Sequence, residues 1–457
     1  MLKKIFKSVD GLFKRSDKAS GGSQQLPSKK KYTLEQEHIS KNALETIKKL
    51  HKEGYEAYLV GGCIRDLLLS LRPKDFDVAT NATPEQVKKI FRNSRVIGRR
   101  FKLVHVFWGK ETIEVATFRG PHSKDDIATD AAQHSSGRIL RDNVYGTIEQ
   151  DATRRDFTIN AFYYDIVKKQ VLDHVNGLED INSKVIRLIG NPQKRYQEDP
   201  VRMLRAIRFM VKLDFSIASE TEQPLNQLSY LLGDIPAARL FDEVLKLFLS
   251  GNAVKIFTLL CQYNLFSYLF PLTAKALDKS PQAEKFIRQA LINTDDRLNS
   301  GKTVNPAFLY ASLLWPVLLE HLEKPISENL PNLLDLHDLA NELIAEQSKY
   351  TTIPKRFGIP IREIWEAQIR LTRRQGKKAD ALLVHPRFRA GYDFLLLRES
   401  VGEDTAGLGK WWTCYQQADD QQRRTMIRQV NGDKKPSRRK RYHYKSKAKN
   451  KAEGKID

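Results

Sequence analysis

The 457-residue chain carries 77 Lys and Arg against 55 Asp and Glu, a formal charge of +22 at pH 7, with 41% hydrophobic and 29% charged residues. That length supports two or three domains with a sizeable core. The charge calls for a polyanionic partner without choosing among RNA, DNA and anionic lipid. No apolar run approaches the roughly 20 residues that span a bilayer. The three cysteines, Cys63, Cys261 and Cys414, are far apart and show no CxxC spacing, which argues against zinc and disulfides and fits a reducing cytoplasm.

In chain order, residues 1–35 read as a disordered basic arm. Its basic start is followed by no long apolar segment, so no secretory signal is expected. Leu2, Ile5, Phe6, Leu12 and Phe13 would suit a short amphipathic helix on a membrane surface, and a frayed terminus is the simpler reading. Ala43, Ile47 and Leu50 mark a helix over 40–51. The apolar run Ala57-Tyr58-Leu59-Val60 then meets Gly61-Gly62 and a short helix from Ile64 to Ser70. A strand, a glycine turn and a helix in succession bring backbone N–H groups and Arg65 close to a bound phosphate. Asp75-Phe76-Asp77 follows. On an extended strand its two carboxylates share a face, the arrangement that holds divalent metal ions beside a triphosphate. Alone, such a pair is most often a solvated turn and a Gly-Gly merely a turn. Their order and spacing carry the specificity.

Thr83, Pro84 and Gln86 spell a capping box with proline at the first helical position. Residues 95–118 read as a hairpin turning at Gly109-Lys110. In its second strand Ile113, Val115 and Thr117 share one face, and Glu114 and Ala116 the other. A lone glutamate there usually faces solvent; opposite two aspartates it becomes a third carboxylate. Residues 121–137 are polar and small, a loop beside the site. From Pro200 onward helix follows helix, over 201–209, 237–249, 308–321 (with Pro316 inside) and 330–347. The tail from Lys434 is basic and of low complexity, with Tyr442, His443 and Tyr444 among its cations, a composition suited to RNA.

The stretch from Gly61 to Leu69, with Pro73 to Thr80, resembles the head motif GGxVRDxLLxxxPKDxDxxT of the poly(A) polymerase and CCA-adding nucleotidyltransferase superfamily, with Ile64 in place of valine. Arg154-Arg155-Asp156-Phe157-Thr158-Ile159-Asn160-Ala161 is similar to its RRDFTINAL motif, and Glu198 to Arg205 to its EDxxRxLR motif. The likeness runs in order from about Ser40 to about Phe270. It implies an α+β fold, with a mixed-sheet nucleotidyltransferase head over 36–170 followed by an all-helical neck (171–275) and RNA-binding body (276–430), then a disordered tail (431–457). It further implies that Asp75 and Asp77 ligate two magnesium ions, manganese being compatible with the same ligands. By the same likeness Glu114 is a further catalytic acid, and Gly61, Gly62 and Arg65 hold the triphosphate. Arg119 also binds nucleotide, while Asp156, Arg155 and Asn160 position the sugar and the catalytic region. Asp199 and Arg202, three apart on one helix, would present a carboxylate and a guanidinium that imitate a pairing edge and select the base.

Both activities of the superfamily share this head. Gly98 to Val106 resembles the GRRFxLxHV element of bacterial poly(A) polymerases, and Gly233 to Glu243 their NDIPPARLFEE element, with Gly233, Ala237 and Asp242 substituted. The Arg-rich stretches 370–378 and 385–390 and the basic tail add to that likeness. The resemblance thus implies template-independent addition of AMP from ATP to RNA 3′ ends, promoting RNA turnover. ATP and RNA 3′ ends are the implied partners, and RNA-decay or RNA-chaperone proteins are candidate partners. The alternatives are a CCA-adding tRNA nucleotidyltransferase and a nonenzymatic RNA-binding protein that kept the fold.

Overall fold

The computed structural model describes residue 34 and residues 36–98, 102–120, 131–133, 139–142, 144–322 and 333–431. The expected basic arm, the Arg99-Arg100-Phe101 element, most of the expected loop and the basic tail lie outside the described residues. Two compact units divide at Arg362/Glu363. No described helix is long and apolar enough to cross a membrane.

The first unit begins with α1 (Lys41–Lys52), capped by Ser40, whose hydroxyl accepts from the Ala43 N–H. Ala43, Thr46, Ile47 and Leu50 form its buried face, the apolar spacing that predicts the helix. A seven-stranded mixed sheet follows, built from β1 (Ala57–Val60), β2 (Asp77–Thr80), β3 (Ser94–Ile97), β4 (Leu103–Trp108), β5 (Glu111–Thr117), β8 (Phe162–Asp165) and β9 (Gln170–Asp173). Their order is β3-β4-β5-β2-β1-β8-β9. β2 and β5 pair in parallel, and the sheet's other pairings are antiparallel. The predicted hairpin is β4–β5. β6 (Ala131–Gln133), inside the expected loop of 121–137, pairs with β7 (Ile139–Asp142) just beyond it to form a separate ribbon. No apolar alternation announces it, since most of its side chains are polar or small.

Alternation sorts the sheet's two faces. Val78, Thr80, Ile113, Val115, Thr117, Val104 and Val106 are buried, whereas Asp77, Glu114 and His105 lie on the other face. Short helices connect the strands: α2 (Gly62–Leu68), α3 (Pro84–Ile90), α4 (Ile148–Arg154) and α5 (Gly177–Asn182). The Thr83/Gln86 capping box of α3 is present in both directions, as is one at Thr147/Gln150 on α4.

Residues 171–275, expected to be an all-helical neck, are mainly helical, with α6 (Pro192–Glu198), α7 (Val201–Leu213) and α8 (Ala237–Phe248), but they also hold most of β9 and two short strands, Val185–Ile186 and Ser216–Ile217, paired in parallel. Longer helices over Pro281–Asn299, Pro306–His321 and Leu333–Gln347 complete the first unit. The second unit packs Leu371, Phe388, Tyr392, Leu395, Trp412 and Tyr415 into a core of its own. The chain thus has the α+β class expected of it, a mixed-sheet head followed by helices.

The head closes on itself at the start of α5. Asp173 accepts N–H bonds from Val175, Gly177 and Leu178, drawing α5 against the turn that precedes β8. A Cβ on Gly177 would stand 2.4 Å from the Thr158 carbonyl and 2.8 Å from the Phe162 ring. Neither the backbone nor a buried ring can yield cheaply. Gly177→Ala is therefore expected to destabilise the protein by about 1–3 kcal/mol, measured by denaturant unfolding; an unchanged midpoint would contradict this packing.

Candidate active site

Strand register composes the site. Val60 pairs with both Tyr163 and Asp77, Asp77 pairs with Glu114, and Glu114 pairs with His105. One row, Tyr163–Val60–Asp77–Glu114–His105, therefore crosses five strands on the face away from α1. Ala116 and Leu103 form part of the neighbouring row. A cleft of about 230 Å³ lies here, lined by Val60, Asp77, Leu103, Glu114, Ala116, Arg119, Asp151, Arg154 and Arg155.

Asp75 precedes β2 rather than lying in it. Phe76 is buried while Asp75 is exposed, so the chain is extended enough to aim both aspartates outward. Burial raises the Asp77 pKa from 3.8 to about 6, aided by the Glu114 charge, partly offset by Arg155, with Asp75 adding to the rise. Glu114 is half exposed, and its Oε1 lies 3.2 Å from His105 Nε2, accepting a hydrogen bond when that nitrogen carries the proton. Among the described residues, no three His, Cys, Asp or Glu side chains form a metal cage by themselves. A magnesium-type site needs no such cage, because one or two carboxylates plus water and substrate phosphates complete it. The carboxylates fit a divalent cation on this structure's own evidence: Asp77 is held among negative charges that a cation would relieve.

The opposite wall is cationic. Gly61 adopts φ +83°, a left-handed conformation that glycine takes without strain. A Cβ there would stand 3.4 Å from Arg155 Nη1, so the bare turn lies against that guanidinium. Arg155 donates to Asp151 Oδ2 through Nη2 (3.0 Å) and Nε (3.3 Å), and Nε also reaches the Tyr163 hydroxyl at 3.0 Å. The Tyr163 hydroxyl donates to the same carboxylate oxygen at 2.5 Å. The Arg119 N–H donates to Asp151 Oδ1 at 3.1 Å. Burial opposes charge on Arg155, but Tyr163 and Asp151 outweigh it and raise its pKa. The cleft thus opposes a carboxylate row to fixed cations, complementary to a metal-bound polyphosphate.

Arg65, Asn160 and Asp156 do not line this cleft. Arg65 is 4% exposed. Its Nε and Nη2 donate to Asp66 Oδ1, and its Nη1 donates to Asn160 Oδ1. Asn160 Nδ2 in turn donates to Asp156 Oδ1, which also accepts the Phe157 N–H. Asp156 Oδ2 accepts from Arg205 at 2.7 Å. Burial pushes the Asp156 carboxyl up, yet Arg205, Asn160 and the Phe157 N–H bring it down to about 2. Asp66 Oδ2 receives Lys212 Nζ at 3.2 Å. A polar chain thus leaves α7 at Arg205, runs through Asp156, Asn160, Arg65 and Asp66, and returns to α7 at Lys212.

Asp199 and Arg202 require a correction, because they do not share a helix. Proline disfavours the helical conformation in the residue before it. With Pro200 next, Asp199 is extended (φ −150°, ψ 91°) beyond the end of α6, and α7 starts at Val201. The Asp199 carboxylate is gripped bidentately by Arg239 of α8, at 2.7 and 2.8 Å. Arg202 donates to the Arg195 carbonyl (2.7 Å) and Glu198 Oε2 (3.0 Å). Sequence reasoning missed Asp151, Tyr163, Arg205 and Arg239. Asp151 left a local signal, standing four residues before Arg155 in a helix with its own capping box, and Arg205 and Arg239 lie inside the EDxxRxLR-like and NDIPPARLFEE-like stretches.

Comparisons with known proteins fit this geometry. Residues 57–187 match the family described as "Poly A polymerase head domain". Residues 214–277 match "Probable RNA and SrmB- binding site of polymerase A", and 328–446 match "Polymerase A arginine-rich C-terminus". Poly(A) polymerase I of Salmonella typhimurium (strain LT2) is 46% identical over 417 residues, 90% of either chain. The chain belongs to the poly(A) polymerase family. It is accordingly a nucleotidyltransferase that polyadenylates RNA 3′ ends, an activity class that generally uses divalent metal ions. A CCA-adding enzyme of Lactobacillus johnsonii is 37% identical over 215 residues, 47% of this chain and 52% of its own. The likeness to CCA-adding enzymes extends to fold: that of Thermotoga maritima superposes with a TM-score of 0.55 at 21% identity, over 84% of each chain.

The Asp77 pKa yields a stability test. A carboxyl raised above its ordinary value contributes stability below that value and loses it as pH rises through about 6. In metal-free protein, Asp77→Asn should therefore gain about 1–2 kcal/mol at pH 7, an advantage that fades toward pH 4. Melting curves of both proteins across that range check it, and parallel pH profiles would refute it.

Proposed function

We propose that this polyadenylation uses Asp75 and Asp77 to hold magnesium, with Glu114 beside them, and Arg155, Arg119 and the Gly61-Gly62 turn to hold the ATP triphosphate. The observation that carries this reading is the cleft itself, where the raised Asp77 carboxyl stands opposite Arg155. Held by Asp75 and Asp77, magnesium would supply charge that lowers the pKa of the RNA 3′-hydroxyl and steadies the leaving pyrophosphate. Arg155, fixed by Asp151 and Tyr163, orients the phosphate chain, and its rigidity limits the reorganisation needed during transfer.

Asp156 is proposed as an orienter rather than a metal ligand. Both of its oxygens are engaged, by Asn160, the Phe157 N–H and Arg205. Arg65 is likewise proposed to brace the glycine turn from below: a Cβ on Gly62 would stand 3.4 Å from its Nη2. Base selection is assigned to Asp199 and Arg202, with Arg239 setting the carboxylate that meets the base. The head, neck and body limits near 36–170, 171–275 and 276–430 are kept as the working division. RNA-decay or RNA-chaperone proteins remain proposed partners, supported by the family description matched at 214–277. Three cysteines without a disulfide support a cytoplasmic site of action.

The decisive assay supplies magnesium, single nucleotides, a generic RNA and a tRNA lacking its terminal CCA. Long ATP-dependent tails on generic RNA are expected; CCA restoration without tails would establish the CCA-adding reading instead. Asp199→Ala is expected to reduce the preference for ATP over GTP and CTP about tenfold or more, and an unaltered preference would remove Asp199 from base selection.

A further inference from the structure

Helix α7 places Arg205, Arg208 and Lys212 at i, i+3 and i+7, one stripe on one face. Two of the three cations have carboxylate partners: Arg205 is paired with Asp156 and Lys212 with Asp66. Arg208, between them, has none among the described residues, and its Nε is buried without a hydrogen-bond partner. Phe209 gathers the cations further. The guanidiniums of Arg65, Arg205 and Arg208 all lie 5.1–5.3 Å from its ring centre. The other side of the account is small. Four cations, Arg65, Arg205, Arg208 and Lys212, share the two carboxylates of Asp66 and Asp156, which leaves two positive charges in excess. Glu243 of α8 also acts on Arg208, but it is bound to Lys246 at 2.8 Å.

Charge held in a partly buried seam without a counter-charge is costly. Burial, then Arg205, lowers the Arg208 pKa, and burial, then Arg65, lowers that of Lys212. An oxyanion would relieve both. The ATP triphosphate already has the cations of the cleft, Arg155 and Arg119, on the Gly61 side of the turn. The α7 cluster stands on the Gly62 side, against Arg65. Gly61 and Gly62 are consecutive, so the two groups of cations flank a single turn, one bordering the cleft and the other behind Arg65.

We propose that Arg208, supported by Lys212 and Arg65, binds a backbone phosphodiester near the 3′ end of the RNA being extended. This rests on the polyadenylation reading, and wild-type tailing of generic RNA tests that reading separately. The site is blind to base identity, as extension of many RNA ends requires, and it anchors the strand to the helix that also orients Asp156.

The test measures equilibrium binding of a short unstructured RNA without ATP, across a salt series, together with KM for ATP in the tailing reaction. Arg208→Gln is expected to weaken RNA binding about tenfold and to flatten the slope of log Kd against log salt by about 0.7, the value for one phosphate contact on a single strand. KM for ATP should be unchanged. Arg208→Lys should recover most of the affinity, which separates lost charge from lost folding, and matching melting temperatures check the fold directly. Unchanged RNA affinity and slope would overturn the proposal. A raised KM for ATP with RNA binding intact would also overturn it, assigning the cluster to the triphosphate.

Discussion

The parallel pairing of β2 with β5 sets Asp77 beside Glu114 on a half-buried face, and the surrounding head is arranged around those two charges. Side-by-side carboxylates repel one another, and burial sharpens the repulsion. The apolar opposite face of the sheet, with Val78, Ile113 and Val115 fully buried, holds the strands in register despite it. The same register brings Tyr163 into the row, and Tyr163 with Asp151 fixes the Arg155 guanidinium across from Asp77. Carboxylate wall and cation wall thus follow from one row of paired strands.

Neck and head are joined by charge as much as by apolar packing. The polar chain that leaves α7 at Arg205 and returns at Lys212 passes through the catalytic-motif residues Asp156 and Asn160 and under the glycine turn at Arg65. Phe209 lies inside this loop, edge-on to Phe157 at 5.6 Å. Breaking a buried pair leaves an uncompensated charge, which costs several kcal/mol, so the loop resists rotation of α7 against the sheet. The start of α7 and the Asp77 end of β2 are therefore mechanically connected.

A shared head with divergent remainder explains how one chemistry yields two products. Sequence likeness to a CCA-adding enzyme covers about half of this chain, whereas sequence likeness to a poly(A) polymerase covers 90% of it, and the arginine-rich C-terminal family matches residues 328–446. The Asp199–Arg239 pair joins an EDxxRxLR residue to the helix that follows the NDIPPARLFEE-like turn. That helix sets how the Asp199 carboxylate is presented.

The sequence by itself determined the chemistry. Gly61-Gly62, Asp75-Phe76-Asp77, Arg154-Arg155-Asp156 and the EDxxRxLR stretch each carry local signals, and helix caps and strand alternation are written in neighbouring residues. Such signals survive in sequence because their physics acts over a few residues: a proline at a first turn, a glycine at positive φ, a period of two. Only the tertiary structure decided which charges meet. Asp151 with Tyr163, Arg205 with Asp156, Lys212 with Asp66 and Arg239 with Asp199 are 12, 49, 146 and 40 residues apart. It also removed Arg65 from the open cleft and took Asp199 off the helix of Arg202. Ion pairing depends on distance in space, and strand register and helix packing set that distance across separations that no local pattern records.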